Sequence, residues 1–225
     1  NEAIASPDGT KVAFTITYES IEQNKGNAEI YVMNIDGTNL KRITKTPGSE
    51  GNIRWLDGGK LLAFISMDSE TKKPQIFTMT PDAREVQKIS NVENGVNCFE
   101  FAPDGKHVVF ASNIKPFNKN EALFEGLPQT TGRVVDDLMY KHWDEWVTEI
   151  PHPFVAEYDG QQLLDITDIM AEEAYECPMK PFGGAETFAW SADSKQLVYT
   201  SRKKEGMDYA FSTDSNLYLY DLDSR

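Results

Sequence analysis

The chain has 225 residues, 40% of them apolar and 11% aromatic, and its 36 acidic and 22 basic residues give a formal charge of -14. This composition can fill a hydrophobic core, and no run approaches the roughly 18 apolar residues of a membrane span, so we expect a soluble globular chain. The negative charge, without a cluster of Lys and Arg, argues against nucleic acid as a partner.

A polar turn followed by an apolar strand occurs four times along the chain. Its copies are "SPDGTKVAFT" (6–15), "WLDGGKLLAFIS" (55–66), "FAPDGKHVVFAS" (101–112) and "WSADSKQLVYTS" (190–201). One position of this strand is always aromatic and is held by Phe14, Phe64, Phe110 and Tyr199. A further short apolar strand precedes the turn. Self-similarity of this kind predicts a repeat architecture.

A second strand follows each copy and again carries an aromatic residue at a constant position. The phrases are "EIYVMNIDG", "QIFTMTPDA", "HPFVAEYDG" and "NLYLYDLDS", which align Tyr31, Phe77, Phe154 and Tyr218. An Asp-containing turn of the hairpin type closes each strand. A third phrase, "NLKRIT", "EVQKIS" and "QLLDIT", aligns Ile43, Ile89 and Ile166 and has no fourth copy.

Units of about 45 residues with four short antiparallel strands are typical of β-propeller blades. The sequence therefore predicts an all-β chain, a partial and open β-propeller of about four four-stranded antiparallel blades within one domain, 1–225. We place the blades at about 1–44, 45–90, 91–168 with an insertion at 113–150, and 169–225, where the last strand is missing. We expect further blades or a second chain to cover the open edge, where self-association is also possible. The alternative to such an incomplete propeller is a free-standing four-bladed propeller.

The insertion in blade three contains "RVVDDLMYKHWDEWVTEIPHPF" (133–154), whose apolar residues recur at helical spacing up to Pro151. We expect a helix of about 15 residues there. Its aromatic residues Tyr140, Trp143 and Trp146 would bury against the propeller or against a separate domain. Asp144 and Glu145 are candidates for binding a substrate ammonium, although solvated helix charges would produce the same pattern.

A second acidic stretch, "MAEEAYECPMKPFGG" (170–184), precedes the innermost strand of blade four. A long loop there would lie at the mouth of the central channel of a propeller. Glu172, Glu173 and Glu176 could hold a cation at this place, and an ordinary acidic loop is the alternative reading.

Catalytic and cofactor motifs are absent from the sequence. No glycine has a serine two residues later, so the G-x-S-x-G nucleophile turn is missing, and no phosphate-binding or metal-binding motif occurs. His107 and His152 are interpreted as ordinary strand residues. Cys98 and Cys177 are either two unpaired buried thiols or a disulfide. We therefore expect no cofactor, no metal and no catalytic residue within the chain.

The repeat "SPDG...VAF...IYVMNIDG...RIT" resembles the TolB-type propeller blade. The phrases "MYKHWDEWVTEIPHPF", "YECPMKPFGG" and "WSADSKQLVYTSRKK" resemble more narrowly the propeller of prolyl oligopeptidase family serine peptidases, in the branch with dipeptidyl-peptidase and acylaminoacyl-peptidase members. Together these phrases extend over essentially the whole chain.

This resemblance implies a propeller that precedes an α/β-hydrolase domain carrying Ser, Asp and His downstream of Arg225. Such a propeller admits short peptides and helps to hold their free N-terminus. In the dipeptidyl-peptidase IV branch a Glu pair precedes a "WWSP"-like strand, and here Glu172 and Glu173 precede "AWSADS" at a longer spacing, with Glu176 as a competitor.

The implied partners are short peptides and either the hydrolase domain or the remaining blades. The implied location is periplasmic or secreted, with the cytoplasm as the alternative. A stand-alone TolB-like propeller that serves as a protein-binding scaffold is the alternative function.

The missing nucleophile turn leads to a first prediction. Purified residues 1–225 should not hydrolyse any dipeptidyl chromogenic substrate, because no activated nucleophile is present. Release of the chromophore can be followed at increasing protein concentration, after each of two purification steps. Turnover that stays proportional to the chain through both steps would contradict the prediction.

Overall fold

The computed structural model describes residues 2–115, 131–132, 134–135, 138 and 140–224. Within this part of the chain, the predicted all-β class and the partial, open β-propeller are confirmed: the strands form successive antiparallel sheets, and no sheet closes on itself. The exact blade boundaries and the single domain remain a prediction.

Three of the sheets have four strands each. The first contains β1 (Ala3–Ala5), β2 (Lys11–Ser20), β3 (Lys25–Asn34) and β4 (Lys41–Arg42). The second contains β5 (Gly51–Leu56), β6 (Leu61–Met67), β7 (Pro74–Met79) and β8 (Gln87–Lys88). The third contains β9 (Cys98–Phe101), β10 (His107–Ile114), β13 (Ile150–Tyr158) and β14 (Leu163–Asp168).

The remaining elements are a small hairpin, a three-stranded sheet and short helical turns. The hairpin pairs β11 (Lys141–His142) with β12 (Glu145–Trp146), and the fourth sheet contains β15 (Phe188–Trp190), β16 (Gln196–Ser201) and β17 (Asn216–Asp221). Two 3₁₀ turns lie at Asp57–Gly59 and Ala185–Thr187, and the helix α1 spans Asp208–Phe211. None of the described helices has the length or apolar character to cross a bilayer.

The aromatic residues that recur in the sequence face each other across the central hairpin of every sheet. Their rings stack at centroid distances of 5.4–6.1 Å. Directly opposed aromatic pairs of this kind contribute about 0.5–1.5 kcal/mol beyond their buried area. The four pairs are Phe14–Tyr31, Phe64–Phe77, Phe110–Phe154 and Tyr199–Tyr218.

Each of the three apolar cores combines residues of two successive sheets. Ile30 of the first sheet packs with Leu62 and Phe64 of the second, and all three are almost fully buried. The next cores combine the second sheet with the third and the third with the fourth in the same way. Burial of each such side chain stabilises the fold by about 1.5–3 kcal/mol. The sheets therefore depend on their neighbours, as the repeat predicted.

The first strands of the sheets also make polar contacts with one another. The indole nitrogen of Trp55 in β5 donates to the carbonyl of Ile4 in β1 at 3.0 Å, and Trp190 in β15 donates to Glu100 in β9 at 3.2 Å. Between them, the Arg54 guanidinium contacts the carboxylates of both Glu2 and Glu100. These contacts place β1, β5, β9 and β15 side by side as the inner strands of the arc.

In the fourth strand of the third sheet, the structure differs from the alignment of the recurring isoleucines. Ile166, aligned with the buried Ile43 and Ile89, is 45% exposed. Ile169 takes the equivalent position. Its amide donates a hydrogen bond to the carbonyl of Pro153, just as the amide of Ile43 donates to the carbonyl of Ile30. The register of β14 against β13 shifts by one residue between Val155 and Glu157, which accounts for part of the three-residue displacement from Ile166 to Ile169.

The predicted helix of the insertion is wrong over residues 140–147, where the structure has the β11–β12 hairpin. Its turn includes Trp143 at φ +52°. Across the hairpin, the Tyr140 and Trp146 rings lie 6.1 Å apart, and the Lys141 ammonium lies 4.5 Å above the Trp146 ring. Aromatic residues three positions apart suit a helix face, but here they pair across strands instead. Residues 116–130 of the insertion lie outside the described residues.

The two cysteines are free, and both are buried in the apolar core between the third and fourth sheets. Burial raises the pKa of each thiol, Cys98 and Cys177, to about 12. The reading of two unpaired buried thiols is thus confirmed, and the disulfide alternative is not formed in this structure.

Two buried carboxylates lie close together where the first sheet meets the second. Glu29 is fully buried and binds Arg42 and Thr44, whereas Glu50 is 3% exposed and accepts hydrogen bonds from Thr46 and Ser66. Burial is the main cause that raises the pKa of Glu50, and the charge of Glu29 raises it further. The folded chain therefore holds this proton at a pH at which the unfolded chain has lost it, and stability falls as the pH rises through this window.

A second prediction follows for Glu50. The substitution Glu50→Gln should raise Tm near neutral pH by a few degrees, because it removes the cost of a buried charge without changing the shape. The gain should shrink as the pH falls towards 4.5, the ordinary value of the group. Thermal unfolding followed by circular dichroism measures this, with the exposed Glu70→Gln as the matched control. A lower Tm at neutral pH would show that the charged form is stabilising.

The outer faces of the first and fourth sheets carry uncovered apolar side chains. Leu217 and Leu219 of β17 are 73% and 61% exposed, and Val12, Phe14 and Met33 line an open groove of about 370 Å³ on the first sheet. Burial of such faces provides a driving force for association.

A third prediction concerns these faces. The chain should self-associate through them, and Leu217→Lys with Leu219→Lys should shift it towards monomer. Sedimentation velocity over a concentration series measures the effect. The exposed residues Ile21 and Ile35, which lie in turns of the first sheet, provide the matched lysine control. A wild-type chain that stays monomeric at high concentration would contradict the prediction.

Candidate functional site

The long connections of the sheets leave from one side of the arc, which we call the loop face. Because the strands are antiparallel and the Asp-Gly turns close their other ends, three connections share this face: the β11–β12 hairpin, residues 169–187 and residues 202–215. All five acidic residues singled out in the sequence lie in the first two of these. The fold thus brings the insertion and the acidic loop to the same side of the third and fourth sheets.

A cavity of about 470 Å³ lies between the hairpin and the loop 169–187. Its wall also includes residues of β9 and β10, so its floor belongs to the third sheet. The lining side chains that carry charge or a polar group are Asn97, Cys98, Asn113, His142, Asp144, Glu145 and Lys180.

Asp144 and Glu145 are the two predicted acidic residues that line this cavity. Both are exposed, at the turn and at the start of the second strand of the hairpin. Lys180 is the basic side chain among the described lining residues. The carboxylates are thus solvated and near one another, which leaves them open to a cationic ligand.

Glu173 is already paired within the protein. Its carboxylate contacts the ammonium of Lys203, which also lies 4.1 Å above the ring of Tyr218. Burial lowers the pKa of Lys203, but the hydrogen bond that its ammonium donates to Glu173 and the nearby Tyr199 outweigh this effect, so the net shift of the pKa is upwards. This internal cation neutralises Glu173.

Glu176 is buried behind the hairpin. Its Oε2 atom lies 3.0 Å from the Nε2 atom of His142, and the side chains of both residues are largely shielded from solvent. The Oε1 atom is buried and has no hydrogen-bond partner among the described residues. Two hydrogen bonds to main-chain carbonyls hold this part of the loop. The Ser201 hydroxyl donates to the carbonyl of Glu176, and the Cys177 amide donates to the carbonyl of Pro151.

Glu172 lies on the exposed surface of the loop. The three glutamates of this loop therefore have three different environments, one solvated, one paired with a lysine and one buried against a histidine. Over the described residues, no three His, Cys, Asp or Glu side chains are grouped as a metal site.

The aromatic residues of the hairpin are not buried by the propeller. Trp143 is 78% exposed, Tyr140 46% and Trp146 43%. Trp143 meets Phe182 edge to face at 5.9 Å, and Phe182 is itself 83% exposed. Sequence reasoning missed Phe182, although its setting between Pro181 and Gly183 indicates a projecting loop tip. The expected burial against the propeller is wrong for Trp143, and burial against a separate domain stays a prediction.

The histidines outside the cavity have structural environments. His107 is partly exposed and contacts Asp104 at 2.7 Å, as expected of an ordinary strand residue beside a turn. His152 was expected to behave similarly but is fully buried, with Nδ1 2.9 Å from Asp168. It occupies the β13 position that corresponds to Glu29 and Gln75, which are equally buried. A polar residue thus recurs at this point of the third strand of each sheet.

Comparison with known proteins places these features in context. The chain is 41% identical over 224 residues to dipeptidyl-peptidase 5 of Porphyromonas gingivalis; the match includes 100% of this chain and 32% of that protein. A second dipeptidyl-peptidase 5, from Porphyromonas endodontalis, is 34% identical over 96% of this chain and 31% of its own length. The chain spans about a third of the length of these curated relatives.

Among solved structures, the acylaminoacyl peptidase of Pyrococcus horikoshii superposes with a TM-score of 0.61 at 14% identity, over 98% of this chain and 30% of that one. At this identity the likeness shows the shared fold alone. The family model described as the TolB beta propeller domain matches residues 3–125, more than half of the chain. This match agrees with the recurring strands and the stacked aromatic pairs of the chain. The chain therefore belongs to the TolB β-propeller family.

Proposed function

We propose that this chain is the non-catalytic propeller portion of a serine peptidase of the prolyl oligopeptidase family. The observation that carries the proposal is the 41% identity to a dipeptidyl-peptidase 5 along the entire chain, including the hairpin and the acidic loop. Identity that extends through insertions argues for more than a common blade pattern, since insertions vary most between propellers. The catalytic Ser, Asp and His would belong to a hydrolase domain of the same protein.

In this proposal the propeller admits short peptides and helps to position their N-terminus for the hydrolase domain. Asp144 and Glu145 are the favoured anchors because they are exposed and line a cavity of about 470 Å³. Glu172 is a solvated alternative, whereas Glu173 would first have to give up Lys203. An ammonium held by carboxylates fixes which peptide bond reaches the nucleophile.

The hydrolase domain is the proposed partner of the hairpin aromatics. Tyr140, Trp143 and Trp146 retain much exposed area on the loop face. Aromatic side chains in this state are typical of contact surfaces, and their burial would supply a large part of the contact energy. The remaining blades would cover the apolar outer faces of the first and fourth sheets. We propose a periplasmic or secreted location for the whole protein.

A stand-alone scaffold is the second candidate function. The superposition on TolB from Acinetobacter baumannii, at 16% identity with a TM-score of 0.56 over 100% of this chain and 41% of that one, shows that a fold of this kind also occurs in a TolB protein. The two functions differ in one simple respect: the peptidase requires a G-x-S-x-G turn in the same protein, and the scaffold does not.

A fourth prediction tests the anchors. In the full-length enzyme, Asp144→Asn with Glu145→Gln should lower kcat/KM for dipeptidyl substrates with a free N-terminus by about tenfold or more, because the charge-assisted hydrogen bonds to the substrate ammonium are lost. N-acetylated substrates should be affected much less. The measurement is the ratio of the two kcat/KM values.

The controls for this experiment are Glu172→Gln, Glu173→Gln and Glu176→Gln, each made singly. If only Glu172→Gln or only Glu173→Gln changes the ratio, the anchor lies in the loop and not in the hairpin. Unchanged ratios in all the variants would remove this cavity from the proposal, whereas the absence of hydrolysis in the wild-type enzyme would favour the scaffold.

A further inference from the structure

The β11–β12 hairpin forms a separate two-stranded sheet and pairs with no strand of the third or fourth sheet among the described residues. An isolated two-stranded hairpin is marginally stable in water. Side-chain contacts with the surrounding loops therefore help to fix its orientation over the cavity.

The side-chain contacts that join the hairpin to the loop 169–187 include two among the described residues. One is the edge-to-face contact of Trp143 and Phe182, in which both rings are largely exposed. The other is the pair of His142 and Glu176, which is largely shielded from solvent. A charge-assisted hydrogen bond in a shielded place is stronger than an exposed ring contact, so the second contact contributes more to the closed arrangement.

The position of Glu176 is unsuitable for direct contact with a ligand in this arrangement. His142 lines the cavity, and Glu176 lies behind it with both oxygens buried or paired. The loop around Glu176 is fixed by Ser201 and by the amide of Cys177. The carboxylate is thus a rigid point to which the hairpin can attach.

We infer that His142 and Glu176 form a latch that holds the hairpin over the cavity, and that both are positioning residues for the site. The latch holds Asp144 and Glu145 in the cavity wall, which is how it bears on the proposed function. A hydrogen bond between an imidazole and a carboxylate that is shielded from solvent joins the hairpin firmly to the loop.

The chain contains its own reporter of this latch. Cys98 lines the cavity and is buried, whereas Cys177 is buried elsewhere in the same core and does not line the cavity. Displacement of the hairpin should therefore accelerate alkylation of Cys98 by iodoacetamide, whereas alkylation of Cys177 reports general loosening of the core. Peptide mass spectrometry distinguishes the two sites.

The fifth prediction concerns the rate of Cys98 alkylation in the chain. At about pH 8, Glu176→Gln and His142→Gln should each accelerate it about tenfold over wild type, because the shielded hydrogen bond between the two side chains is lost. Comparison of variants at one pH cancels the intrinsic ionisation of the thiol.

The matched control is His107→Gln, which removes the pair of His107 and Asp104 far from the hairpin and should leave the Cys98 rate unchanged. Equal Cys98 rates in wild type and both variants would overturn the latch. Parallel acceleration of Cys98 and Cys177 would also overturn it, because it would show loosening of the core rather than of the hairpin. If Glu176→Gln does not fold, His142→Gln carries the same comparison.

The labelling experiment uses no peptide and measures no activity. The labelling experiment can therefore contradict the latch even if Asp144 and Glu145 bind a peptide N-terminus. It can equally support the latch if these two residues do not bind one.

Discussion

The packing of each sheet face against the next sheet is the interaction on which the rest of this structure depends. A four-stranded blade has two apolar faces, and no blade can bury both by itself. Ile30 of the first sheet and Phe64 of the second share one core, and the cores that follow are built in the same way. Every other feature, including the position of the cavity, follows from this order of sheets.

Polar contacts between the inner strands complement this packing. The indole groups of Trp55 and Trp190 donate to carbonyls of the preceding sheet, and Arg54 binds carboxylates on either side of β5. Apolar packing is nearly non-directional, whereas these hydrogen bonds are satisfied only when the inner strands lie side by side at a particular offset. They therefore specify the arc, and the arc directs all long connections of the third and fourth sheets to one face.

The acidic residues on that face illustrate how environment separates similar side chains. Glu173 is neutralised by Lys203, Glu176 is shielded beside His142, and Asp144 and Glu145 are solvated in the cavity wall. A carboxylate that is already paired or buried offers little to a cation, because its existing partner must first be displaced. The formal net charge of -14 does not distinguish these carboxylates from one another.

The sequence alone determined the repeat, and with it the fold class. The recurring aromatic residues, such as Phe14 and Tyr31, are set by the alternation of strands and by turns that only a few residues can form, and both are local properties. The same reasoning failed where two local structures suit one pattern. Aromatic residues at 140, 143 and 146 fit a helix as well as a hairpin. Ile166 matched a recurring phrase, but the equivalent position in the structure is held by Ile169, three residues later.

Only the tertiary structure decided which residues meet at the site. The contacts of His142 with Glu176, of Lys203 with Glu173 and of Trp143 with Phe182 join segments about 30 to 40 residues apart. Such pairs carry no local sequence signal, because each partner is an ordinary loop residue until the packing of the third sheet on the fourth brings the loops together. Short recurring sequence motifs therefore predicted the fold, whereas the site depends on how the third sheet packs against the fourth.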